Sequence, residues 1–324
     1  MKKTILFFTG LCAICALLFT ACSKDNNTKP DIDDTEEPKD QGTAEQLQKD
    51  IIGKWTIDGN GLNIMASTAQ SKSLKASASN RMASTKIAST NTMSTSTTSA
   101  FIEFLADGTF IILDSNGNVS IGDYTAKDGQ TIDLSGFGSI KDIKFADGNI
   151  DCVIHYTQSD SPKTLNIKAK KAVQISASDR TTLLCRTWQV ERIENKWSYS
   201  NWNEQTNDYD KVWEHYIWEN GLWTGDTEGL VEFNKFIVRF SVSGTYLAQI
   251  YDKQGKLIEA TVEYWKWHPN DNNKLISWLP DDAEPTNDYA DHESSVLQLT
   301  QSLFQIKSYG DEGGFLHMTF KAVN

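Results

Sequence analysis

Cysteine pairs, clustered histidines, long apolar runs and basic charge are all scarce in this 324-residue sequence, and each scarcity removes a class of function. There are 31 Lys and Arg against 43 Asp and Glu, a net charge of −12. Binding to nucleic acid draws on basic side chains facing phosphates, so nucleic acid is excluded as a partner class. An anionic membrane surface is disfavoured for the same reason. No apolar run is long enough for a stable spanning helix: the longest, Ile5 to Phe19, comes after Met1, Lys2 and Lys3 and reads as an export signal. Of five cysteines, Cys12 and Cys15 leave with that signal and Cys22 closes it. Cys152 and Cys185 then remain, in the apolar settings IDCVI and LLCRTW, which suit buried free thiols better than a bridge, although an oxidising compartment would permit one. The histidines, His155, His215, His268, His292 and His317, are scattered, and none has HExxH or comparable spacing. With no nucleophile beside a base and no ligand cluster, the expectation is a protein without enzymatic activity, cofactor or metal.

Two acidic stretches invite a calcium reading and fit it poorly. DSNGN, starting at Asp114, has the rhythm of a calcium loop, yet Val119 stands where glycine is needed and Thr125 where a bidentate glutamate belongs, so a hairpin turn is the better reading. DDAEPTNDYADHE, residues 281 to 293, reads as a solvated strand connection, with weak calcium binding as its alternative.

The apolar run ends Phe19-Thr20-Ala21-Cys22, which resembles a bacterial lipobox. That resemblance implies a signal peptide over 1–21 and a diacylglyceryl group on the Cys22 thiol, with the mature chain held at the outer membrane by its N-terminal lipid. Removing Lys2 and Lys3 takes the net charge to −14. Residues 22–45 include KPDIDDTEEPKD and no aromatic residue, the composition of a disordered tether. Cys22-Ser23-Lys24-Asp25 is similar to the start of Bacteroidetes-type lipoproteins, which implies display on the cell surface. The periplasmic face stays open as the alternative.

Beyond the tether the chain carries one pattern twice. IIGKWTIDG, an interruption and FIEFLADGTFIIL come first; LLCRTWQVERI, another interruption and FIVRFSVSGTYLAQI come later. Trp55 aligns with Trp188, and the hairpin Phe104-x-x-x-Gly108-Thr109-Phe110 with Phe240-x-x-x-Gly244-Thr245-Tyr246. GDYTAKDGQTIDL further matches VEYWKWHPNDNNKLISW, and NIDCVI matches SLFQIK. A period this long means a duplicated domain, because solenoid repeats are shorter. Runs such as Phe101-Ile102-Glu103-Phe104 alternate as strands with one buried face do, and Asp107-Gly108, Asn116-Gly117, Asp147-Gly148 and Ser243-Gly244 supply hairpin turns. No βαβ crossover is visible. The prediction is a mainly β protein of two antiparallel meanders, each closed into a barrel or half-open sandwich, since closure removes exposed edges.

Gly53-Lys54-Trp55, the Phe-x-x-x-Gly-Thr-aromatic hairpin and the next aromatic strand resemble the lipocalin-like domains of Bacteroidetes-type lipoproteins, over residues 46–172 and 180–324. The resemblance implies tandem lipocalin-like domains, 46–175 and 176–324, and a binding protein without a specified ligand. It also implies that Trp55 and Trp188 plug the barrel bottoms.

Both copies depart from that pattern by long insertions. Residues 66–100 hold 17 Ser or Thr in 35 positions with no aromatic or acidic residue, which reads as a disordered loop. Residues 194–231 are the opposite, rich in Trp and Tyr interleaved with Asn and Asp. Two readings of these rings stand. In DYDKVWEHYIW the pairs Val212 and Tyr216, and Trp213 and Ile217, have helical spacing, so a short helix capped by Asp208 or Asp210 would lay them on the barrel. Alternatively the rings form a platform for a sugar or a peptide, in which flat aromatic faces take C–H surfaces and neighbouring Asn and Asp bond hydroxyls. KWSYSNWNEQ shows neither helical nor strict strand patterning, so Trp197, Tyr199 and Trp202 are the expected exposed set. Trp265 and Trp267 share one face of a predicted strand, filling the core or lining a pocket. The candidate ligand-binding residues are therefore Trp197, Tyr199, Trp202, Trp213, Trp218, Trp223, Trp265 and Trp267. The expected function is capture of a small apolar or carbohydrate ligand at the cell envelope, mainly by the second domain, with docking of an envelope protein as the alternative.

Overall fold

A short helix capped by a hydroxyl opens each half of the folded chain. In helix α1 (Ala44–Asp50) the Thr43 hydroxyl accepts the backbone N–H of Gln46, and in α2 (Asp179–Leu184) the Ser178 hydroxyl accepts that of Thr181. Such caps satisfy amide groups that the first turn leaves without partners. The computed structural model describes residues 42–58, 62, 99–157, 162–203, 205–225, 230, 232–287, 289, 292–310 and 313–323, and of 201 and 202 the backbone alone. The export signal, Cys22, the tether up to 41 and the Ser/Thr-rich stretch as far as 98 lie outside the described residues.

Strands β1 (Gly53–Ile57), β2 (Phe101–Phe104), β3 (Thr109–Leu113), β4 (Val119–Ala126), β5 (Ile132–Leu134), β6 (Gly138–Ala146), β7 (Asn149–Tyr156) and β8 (Lys163–Lys171) come after α1 and pair antiparallel in sequence order. Closure comes from β1, which pairs with β2 on one side and β8 on the other, Trp55 lying opposite both Ile102 and Lys171. After α2 come β9 (Thr187–Asn203), β10 (Asp208–Glu219), β11 (Leu222–Gly225), β12 (Lys235–Phe240), β13 (Thr245–Tyr251), β14 (Leu257–His268), β15 (Asp271–Trp278), β16 (Glu293–Leu299), β17 (Leu303–Tyr309) and β18 (Phe315–Ala322). Here β9 pairs with β12 and β18, closing a second eight-strand barrel. Strands β10 and β11 extend the sheet beyond it.

The repeat seen in the sequence is a repeat of hydrogen bonds. Trp55 donates its indole N–H to Ile51 O at 2.7 Å, and Trp188 donates to Leu184 O at 2.9 Å. Each ring is buried at the barrel end that its helix covers, and each ties that helix to the first strand. The two helices were not foreseen from the sequence; they are too short to show a full apolar period. The FLADGTF and FSVSGTY hairpins also coincide, with Gly108 and Gly244 in the left-handed region that their turns require.

One expectation needs correcting. The alternation in β2 predicts one buried face, yet all four of its residues, and all five of β3, are buried. The second barrel covers the outer face. Phe101, Ile111 and Leu113 pack against Leu247 and Val262, with Tyr264 beside them, a separate apolar cluster between the barrels. Burying each of these side chains contributes about 1.5–3 kcal/mol. Polar groups fix the register: Arg239 donates to Thr109 Oγ1 at 2.7 Å and pairs with Asp107 at 3.6 Å, and Lys54 donates to Thr245 Oγ1 at 3.3 Å.

Candidate functional site

The Trp-rich insertion is a β-hairpin rather than a helix. Strand β10 pairs with β9 without a break from Asp208 opposite Asn203 to Glu219 opposite Arg192. The helical spacing of Val212 and Tyr216 is overturned because the period is two: Tyr216 and Trp218 are buried while Trp213 and His215 are exposed. KWSYSNWNEQ likewise carries on β9, which keeps its pairing to β10 well past the end of its pairing to β18 at Lys196. Backbone pairing supplies the partners that a polar loop would take from water.

Cross-strand pairs share a face of the sheet. The face continuous with the barrel interior carries Ile193, Asn195, Trp197 and Tyr199 from β9 and Val212, Glu214, Tyr216 and Trp218 from β10. Along it, exposure rises from Trp218 at 2 % and Tyr216 at 4 % to Tyr199 at 37 %. The rings form a track. Trp218 stacks on Phe233 at 4.7 Å, Phe233 meets Trp223 edge-on at 5.6 Å, and Trp223 meets Tyr216 at 5.3 Å. Further out, Trp197 and Tyr199 lie 5.3 Å apart with their planes tilted by 35°.

Polar groups are set among these rings. Asn195 donates its amide N–H to the Tyr216 hydroxyl at 2.5 Å. Burial raises the Tyr216 phenol, opposed by that hydrogen bond and reinforced by the Glu214 charge, so the hydroxyl stays protonated at neutral pH. A neutral phenol flanked by an amide and a carboxylate offers both donor and acceptor character to a hydroxyl-bearing ligand.

The opposite face has different chemistry. Lys196 and Lys211 hold their ammonium groups 4.7 Å and 4.6 Å from the ring centre of Trp213, which is 39 % exposed. Nearer the barrel, Glu194 bonds Arg192 and His215 at 3.3 Å and 3.2 Å. Burial would raise the Glu194 carboxyl, but the hydrogen bonds and charges of Arg192 and His215 outweigh it and hold the group below its ordinary range.

The structure thus divides the eight candidate residues. Trp197 and Tyr199 come together on the inner face near the hairpin tip, Tyr199 exposed as expected but Trp197 partly buried against it, and the backbone of Trp202 pairs opposite Tyr209. Trp213 lies on the outer face between Lys196 and Lys211. Trp218 and Trp265 are core residues, the latter donating to Ser241 O at 3.1 Å, while Trp223 and Trp267 are partly buried against the same core. Sequence reasoning missed Asn195, Glu214 and Phe233; reading residues 212–218 at period two would have placed Glu214 beside Tyr216.

Elsewhere, Asp114 accepts the backbone N–H groups of Asn116 and Asn118 and the Asn118 amide, which makes DSNGN a closed turn. Glu284 of the acidic connection takes the Lys266 ammonium at 2.7 Å. Cys152 and Cys185 are free thiols, each pushed up to about 12, by burial first and then by Asp151 and Glu103 respectively. Among the described residues no helix is long and apolar enough to cross a membrane, and no group of three or more His, Cys, Asp or Glu is placed to hold a metal ion. No known protein family matches this chain, and no curated protein matches it.

Proposed function

We propose that the protein is a lipid-anchored binding protein of the cell envelope, attached to the outer membrane through Cys22, and that it acts without catalysis. Its second barrel captures a small carbohydrate or apolar ligand on the inner face of the β9–β10 hairpin. The observation that carries this reading is the Trp197–Tyr199 pair, half-buried and exposed respectively, at the outer end of an aromatic track whose inner end is core. Rings held on paired strands lose little freedom on binding, so their contact area converts efficiently into affinity. Asn195, Tyr216 and Glu214 supply the hydrogen bonds that would separate a sugar from a purely apolar ligand. Two eight-strand antiparallel barrels in tandem are compatible with the lipocalin-like arrangement that the sequence resembles.

Titrating intrinsic tryptophan fluorescence with a panel of oligosaccharides and fatty acids tests the reading. A saturable shift abolished by Trp197→Ala with Tyr199→Ala is the expected result, and a response indifferent to both substitutions overturns it. A second reading, docking of an envelope protein, draws on Trp213 between Lys196 and Lys211. Retention of one envelope protein that Trp213→Ala releases, beside an unchanged spectrum in the ligand panel, would favour it. Palmitate labelling lost in Cys22→Ala tests the anchor.

A further inference from the structure

The outer face of the sheet around β9 carries charge opposite in sign to that of the chain. Cross-strand partners share a face, so His215 on β10, Lys196 on β9, Phe315 on β18 and Tyr309 on β17 form one row across four strands. In the row nearer the barrel, Glu194, His317 and Lys307 follow in the same strand order. Towards the hairpin tip the face continues through Trp213 and Lys211. From Glu194 to the tip, the described side chains of this face include Lys196, Lys211 and Lys307 but a single carboxylate, that of Glu194, which Arg192 and His215 already engage. The whole chain, by contrast, has a net charge of −12.

These lysines are set against rings rather than acids. Lys307 holds its ammonium 4.0 Å from the ring centre of Phe315 and 5.2 Å from that of Tyr309, as Lys196 and Lys211 hold theirs beside Trp213. Neither Lys196 nor Lys307 forms an ion pair among the described residues. Both clusters reach solvent, Trp213 being 39 % exposed and Tyr309 64 %. A lysine stem is flexible and its contact with an exposed ring is weak, so the ammonium can turn to an arriving anion while the ring takes an apolar surface of the same ligand. The clusters stand three strand spacings apart, about 14–15 Å from β10 to β17, which suits an elongated ligand carrying repeated negative charge. The backbone offers it nothing: β9 at Lys196, β18 at His317 and β17 at Lys307 are paired on both sides. A peptide that adds to a sheet needs an open edge, whereas the flat C–H faces of a sugar need only exposed rings.

We propose that this outer face binds a linear polysaccharide bearing carboxylates, its sugar rings resting on Trp213 and Tyr309 and its carboxylates meeting Lys211, Lys196 and Lys307. It is the opposite face from that of Trp197 and Tyr199, and it stands or falls apart from the reading proposed for them. The full chain, in non-ionic detergent, is titrated calorimetrically with oligogalacturonate, with its uncharged methyl ester and with poly-L-glutamate, which stands in for an acidic protein partner. Oligogalacturonate is expected to bind saturably, with affinity falling roughly fivefold or more as salt rises from about 0.05 M to about 0.3 M. The ester should not bind, and poly-L-glutamate, which has the charge without the sugar faces, should bind roughly tenfold or more weakly. Lys196→Gln with Lys307→Gln, and separately Trp213→Ala, should each lose roughly tenfold in affinity, the lysine pair with an unfolding midpoint within about 2 °C of the unmodified protein. Lys196→Arg with Lys307→Arg keeps the charge and should bind within roughly threefold of the unmodified protein. No saturable binding of oligogalacturonate, equal binding of the ester, poly-L-glutamate bound as tightly, unchanged affinity in the glutamine pair or in Trp213→Ala, or loss of binding in the arginine pair would each overturn the assignment.

Discussion

Lys54 of the first barrel holds its ammonium 4.6 Å from the ring centre of Tyr264 in the second, and 5.3 Å from that of Phe101 beside it. The lysine is 9 % exposed, and Glu103, its cross-strand partner on β2, is 1 % exposed. Burial lowers the Lys54 pKa and the Glu103 charge opposes that shift. The two barrels are thus joined over an apolar contact that encloses a positive and a negative charge.

Removing one of these charges should cost more than removing both. Lys54→Met removes the positive charge that Glu103 faces across the strand pair and is expected to cost about 1–3 kcal/mol, and adding Glu103→Leu should recover most of it. Urea unfolding of the two variants, compared at pH 7, measures the difference.

Alkali should unfold the protein earlier than its lysines alone would suggest. Burial first, with nearby carboxylates, raises Cys152 and Cys185 from 9.0, and Tyr124 and Tyr264 from 10.0, to about 12. A raised pKa means that the folded state keeps a proton the unfolded chain releases, so the stability these groups contribute is full below about pH 9 and is lost as pH climbs towards 12. Lys54 acts in the opposite direction, contributing more as pH rises from its lowered pKa towards 10.5. Burial raises Tyr216, Tyr246 and Tyr251 as well, so one group against seven leaves a net fall. Urea midpoints at pH 8, 10 and 11 should decline, and Cys152→Ala with Cys185→Ala should move the onset of the decline towards pH 10.

Stability and binding should separate along the hairpin. Trp218→Ala opens the core against Phe233 and is expected to cost about 3–5 kcal/mol. Tyr199→Ala, at the exposed end of the same face, should change stability by less than ~1 kcal/mol. Thermal unfolding distinguishes the two, and ligand titration of Tyr199→Ala then reads binding alone.

A single methyl group should disturb the first barrel at Gly138. Its φ is +148°, and a β-carbon there would lie 1.9 Å from the backbone oxygen of His155 on β7. Gly138→Ala is expected to cost about 1–3 kcal/mol or more, visible as a lowered unfolding midpoint.

Strand class, the tandem repeat and the equivalence of Trp55 with Trp188 were legible in the residues, because period-two alternation and glycine turns are local properties of the chain. The hairpin was not. Val212-Trp213-Glu214-His215-Tyr216-Ile217-Trp218 contains both four-residue and two-residue spacings of large side chains, and only pairing along the whole of β9 selects the second. The candidate site was half legible for the same reason: composition pointed to the insertion, while the division of its rings between two faces depends on that register.

The sequence by itself determined two antiparallel meanders and the positions of their turns, since each arises from what neighbouring residues permit the backbone to do, while their closure into barrels came from pairing of the first strand with the last. Tertiary structure alone decided that Phe101 is covered on its outer side and that Trp213 faces away from Trp218. Those outcomes turn on which distant strand or barrel arrives opposite a side chain, and no local pattern encodes that.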